Sequence, residues 1–228
     1  MITFRREALT LCPPGHPDRS SSLISLSDAI FARYEQSGRM EDLEEVITYH
    51  RQSLSLHPLG HPDHSMSLSS LASAVFSRYR QSGRMEDLEE MITYNREALS
   101  LCPPGHPDRS MSLNNLATAA YIRYKQLGRM ENLEEVITYS CEALSLYPTG
   151  HAGRSVPLNN LAIVFFTRYE QSGKMEDLEE VITYHREALT LCPPGHPSQF
   201  SSLNNLAIAI HARYGQLGKM EDLEEVIV

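Results

Sequence analysis

The sequence lacks any apolar run that could cross a membrane. Its longest, Leu161–Phe166, falls far short of the ~20 residues that a spanning helix needs. It also lacks the basic-then-apolar leader of an exported chain, opening instead Met1-Ile-Thr-Phe-Arg-Arg-Glu. Cysteine is scarce, four among 228 residues with no paired spacing, which disfavours a disulfide scaffold and points to a reducing, cytoplasmic setting. Positive charge is in short supply as well. Lys and Arg number 20 against 29 Asp and Glu, and the net charge of −9 disfavours nonspecific binding to nucleic acid or anionic lipid. Hydrophobic residues at 41% still supply a core, so the chain is no disordered tail.

Glycine and proline are rare outside fixed places, and that regularity decides the fold. Gly-His recurs at Gly15, Gly60, Gly105, Gly150 and Gly195, always 45 residues apart. Arg-Tyr recurs with the same step from Arg33, and Met-Glu-(Asp/Asn)-Leu-Glu-Glu from Met40. A second glycine column runs through Gly38, Gly83, Gly128, Gly173 and Gly218. All prolines but Pro157 sit in one segment per unit, typified by Cys12-Pro-Pro-Gly-His-Pro. Each unit is thereby divided into two stretches free of breakers.

Both stretches read as helix. Leu23, Leu26, Ile30 and Tyr34 recur at spacings of three and four and form one helical face. Leu43, Val46, Ile47 and Leu54 do the same in the second stretch. Asp42-Leu-Glu-Glu45 reads as a capping box that opens this second helix, and the Pro-Pro pair ends it. The expected helices cover 2–11, 18–37, 42–56, 63–82, 87–101, 108–127, 132–146, 153–172, 177–191, 198–217 and 222–227. Pro157 falls where other units carry serine inside the first helix, so that helix should start near Ser155 or kink. Neither helix of a unit buries its apolar stripe alone. Stacking does so, each enclosed leucine contributing about 1.5–3 kcal/mol. The expected architecture is an all-α solenoid of antiparallel hairpins in one domain, 1–228. Its units lie near 18–57, 63–102, 108–147, 153–192 and 198–228, with 1–12 a trailing half-repeat. Both ends fall inside a second helix, so the chain is expected to be part of a longer product and to associate end to end.

The pattern resembles the tetratricopeptide repeat, especially the long variant of kinesin light chains and of large fungal arrays. Leu113-Asn-Asn-Leu-Ala117, Leu133-Glu-Glu-Val-Ile137 and Glu142-Ala-Leu-Ser-Leu-Tyr-Pro148 carry the likeness, with Gly-His-Pro-Asp from Gly105 as the inter-repeat loop. The unit departs from the usual 34 residues in being 45 long, and alanine or serine replaces the usual first-helix glycine. The resemblance implies a right-handed solenoid that binds proteins. Similar fungal arrays can precede a caspase-like (CHAT) peptidase or a nucleotide-binding signalling domain, and nothing resembling either is present in this sequence.

In resembling repeats the first helix lines the concave groove. Transferring that face gives Phe31, Phe76, Tyr121, Phe166 and His211 in one column. One turn back lie Asp28, Ser73, Thr118, Ile163 and Ile208, then Ile24, Ser69, Asn114, Asn159 and Asn204. Groove asparagines can hold the backbone of an extended peptide, since an amide donates and accepts, and the aromatic column can receive apolar side chains. The alternative is that these aromatics and amides only pack and bond between neighbouring helices. No catalytic residue, metal ligand or cofactor is expected. Cys12, Cys102 and Cys192 each start a Cys-x3-His segment, but two units separate them by roughly 20 Å or more, too far to share one ion. His61 and His64 read as loop residues, and no phosphate-binding loop or oxyanion turn accompanies Cys141. The recurring arginines are expected to pair with the abundant glutamates. The expectation is therefore a non-enzymatic protein-binding scaffold, with an inert or oligomerising spacer of a larger signalling or peptidase protein as the second reading.

Overall fold

The computed structural model describes residues 1–106, 108–191 and 197–222. Among them every regular element is helical: α1 (Ile2–Thr10), α2 (Arg19–Ser37), α3 (Met40–Leu56), α4 (His64–Ser82), α5 (Met85–Leu101), α6 (Arg109–Leu127), α7 (Met130–Ser145), α8 (Ser155–Ser172), α9 (Met175–Thr190) and α10 (Pro197–Leu217). Cys192 and the expected helix 222–227, save Asp222, lie outside the described residues. Two compact units divide the chain, Met1–Ser112 and Leu113–Val228, and their boundary falls inside α6. In the first, α1 packs on α2, α2 on α3, α3 on α4 and α4 on α5; in the second, α7 packs on α8, α8 on α9 and α9 on α10. Successive hairpins stacked in this way make an all-α solenoid.

The apolar stripes form the cores. Leu23, Leu26, Ile30, Leu43, Val46 and Ile47 are sealed from solvent in the first repeat; of their fourth-repeat counterparts Leu158, Leu161, Leu178, Val181 and Ile182 are equally closed, and Phe165, in the place of Ile30, is half-buried. Each first helix ends on a glycine of the second column. Gly38 has φ +66, a left-handed conformation that favours glycine, and its amide donates to the Tyr34 carbonyl at 2.7 Å.

The capping-box reading is corrected. The second helices begin two residues earlier, at Met40, Met85, Met130 and Met175, and no side chain caps them. Asp42 lies inside the first turn and is 3% exposed. Its carboxylate accepts two hydrogen bonds from Arg33 at 2.8 Å, so it is drawn inward to a guanidinium and is not free to bond the helix amides. The expected arginine–glutamate pairing holds, from Arg33–Glu45 to Arg213–Glu179, and aspartate joins it. Aspartate is the nearest partner in the second, fourth and fifth repeats too, through Arg78–Asp87, Arg168–Asp177 and Arg213–Asp222, while in the third Asn132 takes its place and Arg123 meets Glu135 at 3.9 Å. Glutamates of the same and of the preceding repeat add to it: Arg78 reaches Glu90 at 2.9 Å and Glu44 at 3.2 Å, and Arg213 reaches Glu179 at 2.8 Å.

The loops explain the Gly-His column. Nδ1 of His16, His61, His106 and His151 accepts from the backbone amide two residues on. A donor near the start of the unit then latches the loop: Arg19 donates to the Cys12 carbonyl at 2.7 Å and Arg154 to that of Tyr147 at 3.0 Å. In the fourth unit a short 3₁₀ turn, Ala152–Arg154, precedes α8, which starts at Ser155 as Pro157 requires. Pro157 is the third residue of that helix, where its missing amide costs no intrahelical bond. The Tyr147 ring stacks on His151 at 4.7 Å and fills the space beside Gly153, where an added Cβ would meet it at 2.7 Å.

Candidate functional site

The first-helix stripe is best followed one unit at a time. In the first unit Phe31 and Phe76 are half-buried, each beside the tyrosine three residues on: Phe31–Tyr34 centroids lie 5.6 Å apart and Phe76–Tyr79 6.1 Å. Asp28 and Ser73 are exposed, Ile24 is half-buried and Ser69 is buried. Phe31 and Tyr34 also line a hollow with Glu35, Arg80 and Gln81, whose amide donates to the Gly38 carbonyl at 2.9 Å.

In the second unit the stripe opens into a pocket of about 170 Å³. Tyr121 of α6, Ile163 and Phe166 of α8, and Ile208 of α10 line it, four positions of the two columns nearest the groove. Ala162 and Val181 add apolar wall, while Thr167, Glu170, His185 and Asn205 add polar groups. The Thr167 hydroxyl donates to the Ile163 carbonyl at 2.9 Å and lies 3.5 Å from the Tyr121 phenol. Thr118 is half-buried, its hydroxyl bonded to the Asn114 carbonyl at 3.0 Å, and His211 is exposed.

The asparagines divide. Asn114 and Asn159 are half-buried and Asn204 is exposed. The Asn114 Oδ1 is enclosed and has no hydrogen-bond partner among the described residues. Asn205, not Asn204, reaches the pocket. Counting four residues back from Ile208 selects Asn204; counting three selects Asn205, and a helix places both spacings on one face.

His185 is the residue that the sequence reasoning missed. It comes from the second helix α9, is 3% exposed, and its Nδ1 has no hydrogen-bond partner among the described residues. Burial lowers its pKa to about 4, so the ring is neutral at pH 7. Histidine at positions 50 and 185, exactly three repeats apart, was the available signal, but the second helix reads as packing.

The loop between α3 and α4, in the first unit, gathers three possible metal ligands. Ligand atoms of His57, His61 and Asp63 lie within 4.8 Å of one another. Yet both ring nitrogens of His57 bond serine hydroxyls, Ser20 at 2.8 Å and Ser67 at 2.7 Å. Its ring stacks on His61 at 4.4 Å with 16° between planes, so their in-plane lone pairs run side by side and do not converge on one ion. Cysteine gives no better case for chemistry. Cys102 is buried and Cys141 exposed, and desolvation raises both thiols, the reverse of what a nucleophile needs. Among the described residues no helix is long and apolar enough to cross a membrane.

The comparisons with known proteins agree with the fold. Residues 158–198 match the sequence profile of the tetratricopeptide repeat. Among solved structures, BtubC (BKLC) from P. vanneervenii aligns with a TM-score of 0.70 at 16% identity, covering 99% of this chain and 86% of its own. A putative kinesin light chain from Podosopora anserina with nearly identical TPR-like repeats aligns at 0.59 and 23% identity, covering 93% of this chain and 95% of its own. At these identities the likeness carries the fold. No curated protein matches the sequence.

Proposed function

We propose that this chain, an array of tetratricopeptide repeats, is a non-enzymatic cytoplasmic scaffold that binds an extended peptide segment of a protein partner along its first-helix groove. The observation that carries the reading is the open pocket of the second unit, where Tyr121, Ile163, Phe166 and Ile208 stand beside unfilled space. Asn114, Asn159 and Asn204 recur one repeat apart next to that stripe. Each amide offers a donor and an acceptor, the pair of groups that a peptide backbone repeats along its length. The net charge of −9 favours a basic segment and disfavours nucleic acid or anionic lipid. No cofactor or metal enters this role.

Replacing Asn114, Asn159 and Asn204 together with alanine tests it. Capture of peptides from a random display library should fall roughly tenfold or more, with helicity and melting nearly unchanged. Equal capture by the triple variant would overturn the asparagine assignment. The second reading, an oligomerising spacer, draws on Met1, Phe4 and Leu11 around α1, exposed by 84%, 75% and 77%. Light scattering that shows concentration-dependent assembly, together with no peptide capture by the unaltered protein, would put the spacer first.

A further inference from the structure

Resting on the peptide-groove reading, we propose that the pocket among α6, α8, α9 and α10 selects one leucine- or phenylalanine-sized side chain of a basic peptide, whose neighbouring lysine or arginine pairs with Glu170.

The argument begins with the column one turn before the aromatics. It reads Asp28, Ser73, Thr118, Ile163, Ile208: polar in three repeats, apolar in two. Both isoleucines line the pocket and remain exposed, by 38% and 47%, although each presents a branched apolar side chain to solvent. An apolar occupant would bury that surface, which no neighbouring helix does. Volume sets the size of the guest. A dry cavity of about 150 Å³ accepts a benzene ring, so about 170 Å³ suits one such side chain and not two.

His185 supplies an independent sign of a missing ligand. It is nine-tenths buried and lines the pocket, and its Nδ1 has no hydrogen-bond partner among the described residues, which leaves it open to a backbone amide that enters with the guest side chain. Because the ring is neutral, it does not repel a cation nearby. Glu170 provides the charge selection. It is exposed at the pocket, on the face that Ile163 and Phe166 share, and no cation among the described residues lies within ion-pair distance of it. The chain's net charge of −9 acts in the same direction on an approaching peptide.

The test uses a random nine-residue peptide library displayed on phage, selected on the full chain, followed by fluorescence anisotropy with labelled copies of the winners. Selected peptides should share one Leu, Ile, Met or Phe next to Lys or Arg. The paired variant Ile163→Thr with Ile208→Thr copies the residue that the same column already carries at Thr118, so the helix should keep its fold, as circular dichroism checks. It should weaken binding roughly tenfold or more, and Glu170→Gln about threefold with a shallower salt dependence. Peptides that bind the threonine pair as tightly as the unaltered chain, yet lose affinity on the triple asparagine change, would overturn the pocket and leave the groove standing. Enrichment of acidic peptides would overturn the charge assignment. No selected peptide at all would bring down the groove reading itself.

Discussion

The first and fourth repeats place histidine at the same point of the same helix and surround it differently. His50 of α3 and His185 of α9 each stand 22 positions after a member of the polar-to-apolar column, Asp28 in one case and Ile163 in the other. Burial lowers the pKa of both rings. For His50 the charge of Asp28 opposes that effect, whereas His185 has desolvation alone and falls to about 4. The loops leading in differ as well. Cys12 and Asp18 stand in the first repeat where Tyr147 and Gly153 stand in the fourth. The framework beneath is shared, since Arg33–Asp42 and Arg168–Asp177 are the same ion pair, at 2.8 and 2.6 Å. A repeat array can thus hold its scaffold constant and vary one face and one loop, which is where a site can arise.

The largest expected effect tests the shared part. Asp42→Ala and Asp177→Ala should each cost about 2–3 kcal/mol, somewhat under the loss for a fully enclosed pair because the guanidinium side is partly exposed. Urea unfolding that finds one position indifferent would break the equivalence of the two repeats. Next comes the loop. Gly153→Asp restores the residue found at position 18, but its Cβ meets the Tyr147 ring, so the cost should be about 1–3 kcal/mol. Adding Tyr147→Cys should recover most of that loss, and a double-mutant cycle without coupling would show that the loop residues do not compensate one another.

The smallest effect concerns the histidines. Ile163→Asp gives His185 the neighbour that His50 has and should raise its pKa by about one unit, or about 1.4 kcal/mol of linked stability. The sign follows from the depressed pKa. The unfolded chain takes up the His185 proton below about 6.5, the folded chain only near 4. This group's contribution is therefore complete above pH 6.5 and declines as the pH falls toward 4. The variant should narrow that window. Proton NMR titration of the two rings checks it, and an unmoved His185 would mean that the column does not face the histidine.

Much of the fold was legible because glycine and proline punctuate a 45-residue step and leucines keep helical spacing between them. Pro157 even located the start of α8. Asp42 misled because Asp-x-x-Glu is a capping signature by local chemistry, while its true partner, Arg33, lies on the other helix and wins by offering a bidentate cation. The aromatic and isoleucine columns that line the pocket followed from the face that resembling repeats turn to their groove, spaced by the helical period. Asn205 could not, since spacings of three and four are equivalent until a neighbouring helix chooses between them. His185 stayed hidden because a polar residue in a buried column looks the same in sequence whether it is satisfied or orphaned.

The arginine stitch also bears on how such a gene can change length. Arg78 finds its aspartate nine residues ahead and a glutamate 34 residues behind, and Arg168 and Arg213 repeat both intervals. Recombination that adds or removes a whole 45-residue unit leaves those intervals intact, so each new junction is ready-made. A crossover out of frame by one residue turns the helix face by about 100° and separates arginine from both partners. Unequal exchange in whole units is then the tolerated mutation, and near-identical neighbouring units are its expected record.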